Sequence, residues 1–233
     1  MVDAAWYEEN QVRQMLGKRV ESVDMDAREA LLDDGTKLHF TKLIYALGSE
    51  CFIPPMEGSK LPEVAAIRRL SDVRKVETLM MSTGKAVVIG GGVLGLEAAW
   101  ELKKAGLEVT VLEMAPSLMG RQLDESSGEQ LKIIASKAGV VIRTGVNVEA
   151  IEGDGHVTAG IRANIELAKK MGLETKKGVV VNELMETSVS GIYACGDCAQ
   201  YHDTNYGIWP EAVEQGKTAG ANAAGDSLEY TPV

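Results

Sequence analysis

Short apolar runs alternate with stretches of helical period along this chain, and the sharpest alternation lies at residues 85–113. Ala86-Val87-Val88-Ile89 is β-branched and runs into glycine, which predicts a strand buried on both faces. Leu94, Ala98, Leu102 and Ala105 then recur at helical spacing, and Gly106 stops the helix they predict. Val109-Thr110-Val111-Leu112 predicts a second strand, which ends on an acid, Glu113.

Upstream, a polar start at Tyr7-Glu8-Glu9-Asn10 predicts a short helix over 8–16, and alternation over 19–24 predicts a strand. Ala30-Leu31-Leu32, the turn Asp33-Asp34-Gly35 and Lys37-Leu38-His39-Phe40 read as a β-hairpin. Residues 42–46 predict another strand, and Pro54, Pro55 and Gly58 a loop. Ser71 is the predicted cap of a helix to Met81, with Val73, Val76, Leu79 and Met80 on one face.

Downstream, Asp124 opens a helix carrying Leu131, Ile134, Ala135 and Ala138, and Val140-Val141-Ile142 is a third strand. Residues 146–151 read as a fourth extended run. A short helix is predicted at 166–171, strands at 178–182 and 191–194, and a closing helix from Pro210.

The turn between the first two strands carries the chemistry. Gly90-x-Gly92-x-x-Gly95 follows a strand and opens a helix, the order of a dinucleotide-binding βαβ unit. Gly90 permits the tight turn, Gly92 lets a pyrophosphate approach the backbone, and Gly95 lets helix and sheet pack closely. Gly90, Gly91, Gly92, Val93, Leu94 and Gly95 are therefore candidate cofactor-binding residues, with the helix N-terminus supplying free N–H groups. Glu113 stands where a carboxylate accepts hydrogen bonds from a ribose 2′-hydroxyl. It would repel a 2′-phosphate, and Met114-Ala115-Pro116 offers no arginine to bind one, so NADH is expected over NADPH.

Composition narrows the setting. The 233 residues are 45% hydrophobic and 25% charged, enough for one large domain or two small ones. A formal charge of −10 argues against nucleic acid or an anionic membrane as partner. No apolar run has the length of a membrane span, and MVDAAWYEEN lacks the regions of a signal peptide. Three cysteines fit a reducing, cytoplasmic location better than a disulfide framework.

Three further stretches carry a family resemblance. Thr41-Lys42-Leu43-Ile44-Tyr45-Ala46-Leu47-Gly48 resembles the T-x-L-I-x-A-T-G segment of FAD-dependent pyridine-nucleotide oxidoreductases, with Leu47 where Thr is common. Gly160-Ile161-Arg162-Ala163-Asn164 resembles their G-I-R-P-N segment, and TSVSGIYACGDCA at 187–199 their second FAD fingerprint. The chain looks most like NADH:rubredoxin reductases and the flavoprotein part of assimilatory nitrite reductases. The resemblance implies an α/β fold of two Rossmann-like domains, the NAD domain inserted in the FAD domain. It places residues 1–78 in the tail of a first FAD-binding half, 79–164 in a shortened NAD(H)-binding domain, and 165–233 in the returning FAD half.

The same resemblance implies roles. Asp197 matches the acid on the FAD ribityl chain, with Gly196 allowing close approach. Ala46 and Gly48 match the segment near the FAD pyrophosphate, and Gly160 a glycine on the nicotinamide side. Trp209, Pro210 and Glu211 match the start of a helix whose dipole points at the flavin. Glu97 matches an acid where nicotinamide meets flavin, or is a solvated helix residue. No catalytic side chain and no metal are implied. The cofactors are FAD and NAD(H), and electrons pass from NADH through flavin to a protein or small-molecule acceptor such as rubredoxin. A non-catalytic dinucleotide-binding fragment, and an electron-transfer component active only with a partner, stay open, as does a homo-oligomer.

Departures set further expectations. Nothing like the family's first strand–glycine turn–helix precedes Trp6–Asn10, and the C-terminal domain is missing after Val233. Poor FAD binding by the 233-residue chain is therefore expected. About 20 residues of the family pattern are absent between Val157 and Thr158, which predicts an NAD sheet lacking a central strand, with two exposed edges. Cys195-Gly-Asp-Cys198 is formally a C-x-x-C, but it follows a buried strand and reads as a pair of small buried residues rather than a redox centre.

Overall fold

The computed structural model describes residues 4–152, 157–158 and 161–233. The chain divides into two compact units, one of Met1–Ser49 with Ala163–Val233 and one of Glu50–Arg162. In chain order the first unit opens with α1 (Ala4–Glu9), β1 (Val20–Asp24), β2 (Glu29–Leu32), β3 (Lys37–His39) and β4 (Leu43–Tyr45). The chain leaves it in β5 (Ser49–Cys51). The second unit holds α2 (Leu70–Met80), β6 (Lys85–Ile89), α3 (Val93–Lys104), β7 (Glu108–Glu113), α4 (Glu125–Lys137), β8 (Val140–Thr144) and β9 (Val157–Thr158). The return is through β10 (Ile161–Ala163), which pairs with β5. Then come α5 (Glu166–Lys170), β11 (Val179–Val181), β12 (Ile192–Ala194), a 3₁₀ turn at Gly196–Cys198, β13 (Ala199–Tyr201) and α6 (Trp209–Ala224).

The second unit is built on a parallel sheet in the order β8-β7-β6-β9. Ala86 and Val88 sit beside Val109 and Val111, and this row packs with Ala99 and Leu102 of α3. Val88 and Val111 are fully enclosed, each worth about 1.5–3 kcal/mol in burial. The expected loss of a central strand is corrected by β9, in which Val157 and Thr158 pair with Val87 and Val88. β6 thus keeps a neighbour on each side, although the added strand has only two residues.

Residues 50–78 belong with the second unit, because Ile53, Met56 and Leu61 pack around Val64 and Ile151. Val76 and Met80 of α2 lie against the β6–β7 core. In the first unit, β12 pairs in parallel with β4, Ile192 beside Leu43, and Val179, Met185, Ile192 and Ala219 fill the core. β11 pairs in parallel with β13, while β1, β2 and β3 form the expected hairpin sheet.

Local structure departs in three places. The first helix runs over Ala4–Glu9, not 8–16, and ends where Gln11 turns left-handed at φ 57°. The N-cap of α2 is Arg69, not Ser71, because the Asp72 carboxylate folds back to accept the N–H groups of Arg68 and Arg69 at 2.9 and 2.7 Å. Residues 146–151 form no strand, only a single bridge between Glu57 and Ala150. Asp124 does cap α4, accepting the Ser127 N–H at 2.7 Å. Among the described residues no helix is long and apolar enough to cross a membrane.

Candidate cofactor-binding site

The glycine turn of the second unit is shaped by what surrounds each position. Gly90 adopts φ 113°, a left-handed turn off β6 that a side chain would strain. A Cβ on Gly95 would lie 2.0 Å from the Gly90 carbonyl oxygen, so helix and strand touch through backbone there. A Cβ on Gly91 would meet Leu118 Cδ2 at 2.5 Å. Gly92 differs, because nothing lies within 4 Å of its missing side chain, and it is exposed. It is also the N-cap of α3, and no side chain caps that end. Open space therefore lies over uncapped N–H groups at the positive end of a helix, an arrangement that receives a phosphate.

Glu113 ends β7 beside this turn and is half-buried. Its Oε2 accepts the Gly91 N–H at 2.5 Å and its Oε1 the Ala115 N–H at 2.7 Å. Besides the ribose task that its position predicts, this carboxylate ties the glycine turn to the end of β7, which the strand–helix pattern alone does not show. Each oxygen keeps a further lone pair, so acceptance from a ribose hydroxyl is compatible with both bonds. Val93 and Leu94 form the first turn of α3, Leu94 half-exposed, and Glu97 is exposed one turn on. Gly160 lies outside the described residues.

The first unit brings a second set together. Gly48 turns at φ 64° and accepts the Asn164 N–H at 2.9 Å, while Ala46 is exposed beside it. Gly196 turns at φ 75°, and the Asp197 carboxylate accepts the Ser49 hydroxyl at 2.9 Å. Ser49 was not singled out from sequence. Its place directly after the Ala46–Gly48 segment was the available signal. α6 begins against the 196–198 turn, with Ala212 Cβ 3.7 Å from where a Gly196 Cβ would stand. Trp209 is 82% exposed and Pro210 occupies the first turn. Glu211 points elsewhere: it is buried, and its carboxylate is taken by the Tyr230 hydroxyl and the Val233 N–H.

Burial decides the state of the cysteines. Cys195 is pushed up to about 11 by burial and the neighbouring Cys198, and burial raises Cys198 as well. The Cys198 thiol lies 3.2 and 3.4 Å from the carbonyls of Cys195 and Tyr45. Neither is a thiolate at neutral pH, and all three cysteines are free. Titration of the native chain with a thiol reagent at pH 8 is expected to label Cys51 quickly, and Cys195 and Cys198 only after denaturation. Rapid labelling of all three would contradict the buried-pair reading.

The chain is similar to known proteins in sequence and in fold. The pyridine nucleotide-disulphide oxidoreductase family matches residues 5–216. A NADH oxidase of Methanocaldococcus jannaschii is 36% identical, the match covering 92% of this chain and 52% of that protein. A nitrite reductase [NAD(P)H] of Bacillus subtilis is 33% identical over 96% of this chain and 30% of its own length. The crystal structure of NADH:rubredoxin oxidoreductase from Clostridium acetobutylicum superposes with a TM-score of 0.83 at 31% identity, covering 100% of this chain and 62% of that one. The chain spans less than two thirds of each of these proteins. The family match and the superposed α/β architecture extend over nearly its whole length, and the chain belongs to the pyridine nucleotide-disulphide oxidoreductase family.

Proposed function

We propose that this chain forms the nucleotide-handling part of an NADH-oxidising flavoprotein that hands electrons to a separate acceptor. The observation that carries the reading is Gly92, open and uncapped at the start of α3, with the Glu113 carboxylate fixed beside it. The residues fit NADH: the N–H groups of the α3 first turn hold the pyrophosphate, and Glu113 orients the adenosine ribose and disfavours a 2′-phosphate. Names of relatives that include NADH and rubredoxin support the same assignment.

The first unit fits a flavin dinucleotide less completely. Asp197, oriented by Ser49, would accept a ribityl hydroxyl, and the left-handed turns at Gly48 and Gly196 keep backbone bare. The N-terminus of α6, without a side-chain cap, would favour negative charge on a reduced ring. FAD supplies hydride acceptance at one ring atom and stepwise release of electrons, so the chain's own residues bind and orient. No side chain transfers a proton in the first half-reaction. The acceptor is a small electron-transfer protein of the rubredoxin class or a small molecule, reached from a soluble location in the cytoplasm.

The test is direct. Fluorescence titration is expected to show NADH binding at least about tenfold tighter than NADPH. With excess FAD, NADH should then reduce ferricyanide. Binding without reduction would leave a dinucleotide-binding module, and absence of NADH binding would overturn the proposal.

A further inference from the structure

A line of buried polar groups joins the C-terminal tail to the 196–197 turn inside the first unit. The Val233 N–H donates to Glu211 Oε1 at 3.0 Å, and the Tyr230 hydroxyl donates to Glu211 Oε2. Gln215 Nε2 in turn reaches the Tyr230 oxygen at a long 3.5 Å, and Gln215 Oε1 accepts the Gly196 N–H at 2.8 Å. Tyr230, Glu211 and Gln215 are 4%, 2% and 1% exposed, so water does not replace a lost partner.

The donors and acceptors run in one direction only. The Tyr230 hydroxyl donates to Glu211, so its one O–H is committed there. The lone pairs left on Tyr230 can only take a donor, which selects the Gln215 amide nitrogen. The Gln215 carbonyl oxygen must then face Gly196, because the reversed amide would set NH₂ against N–H. Burial, reinforced by Glu211, holds the Tyr230 phenol well above its usual range, so the hydroxyl keeps its proton. Ser49 and Asn205 hold Asp197 from the other side, through its carboxylate and its carbonyl oxygen.

We infer that Tyr230 is a positioning residue for the cofactor turn: through Gln215 it fixes the Gly196 N–H and thereby the Asp197 carboxylate that meets the flavin's ribityl hydroxyls. The flavin half of this inference rests on the function proposed above. The coupling from tail to turn does not. Tyr230 also anchors the tail, donating its N–H to Glu183 and packing edge-on against Tyr201, and a purely structural role would stop there.

Amide exchange by NMR on the full chain separates the two roles. Tyr230→Phe keeps the ring and removes only the hydroxyl. Exchange at Gly196 is expected to accelerate about fivefold or more, with Ile192 and Ala194 of β12 unchanged. The FAD dissociation constant should rise while that for NADH stays fixed. An unchanged Gly196 in a folded Tyr230→Phe chain overturns the inference, and so does an accelerated Gly196 with unchanged FAD affinity. Should Tyr230→Phe fail to fold, Glu211→Met is read the same way, since it removes both acceptor oxygens and frees the Tyr230 hydroxyl to turn on Gln215. An unchanged Gly196 there also overturns it. If neither chain binds FAD but Gly196 responds, the flavin reading fails and the tail-to-turn coupling stands.

Discussion

Gly95→Ala is expected to unseat α3 and weaken NADH binding by about a hundredfold. The added Cβ would stand 2.0 Å from the Gly90 carbonyl oxygen and 3.1 Å from its carbon, and neither is the end of a flexible side chain. Either β6 or α3 must move, at a cost of about 1–3 kcal/mol typical of overpacking. Alanine's better helix propensity returns only about 1 kcal/mol. A helix start displaced by about an ångström no longer presents its N–H groups to the pyrophosphate, and a loss on the order of a hundredfold in affinity is expected. Gly92→Ala is the paired control. Gly92 has φ −82° and empty space around its missing side chain, so alanine should leave urea stability within about 0.5 kcal/mol. It should nevertheless weaken NADH strongly, because the methyl fills the room meant for phosphate. Normal NADH binding by Gly92→Ala would refute the close-approach reading of this turn.

Glu113→Gln is expected to erase the preference for NADH over NADPH. The carboxamide offers one acceptor oxygen where the carboxylate uses two, on Gly91 and Ala115, so one N–H is orphaned. That costs about 1–3 kcal/mol of stability. The ribose loses a charge-assisted bond worth about 1.5–3 kcal/mol, roughly a ten- to hundredfold loss in NADH affinity. NADPH no longer meets a fixed negative charge and should lose much less. Calorimetric titration of both nucleotides against wild type and variant reads the ratio, and an unchanged ratio would remove Glu113 from coenzyme selection.

Much of the second unit was legible because its signals are local. The period of β6, α3 and β7, the three glycines and the terminal acid lie within one continuous stretch, and the structure places them together. What escaped depends on distant partners. Strands β5, β10 and β13 have three residues each and β9 two, too few for any period, and they exist because another strand accepts them. Glu211 reads from sequence as an acid at a helix start facing a cofactor. Tyr230 and Val233, from the far end of the chain, turn it inward. Ser49 likewise acquires a role only when Asp197, 148 positions later, arrives beside it.

The split layout of the first unit has a consequence for how the chain is made. β4 is synthesised early, but its strand partner β12 emerges only after the whole second unit. The second unit is contiguous and can fold while translation continues, whereas Leu43, Ile44 and Tyr45 wait with an unpaired edge. Closing a loop that long makes this pairing the slow, high-contact-order step. Nascent chains stalled before β12 should therefore protect β6 and β7 from protease while β4 remains cleavable, and they would be the species that aggregates or recruits a chaperone.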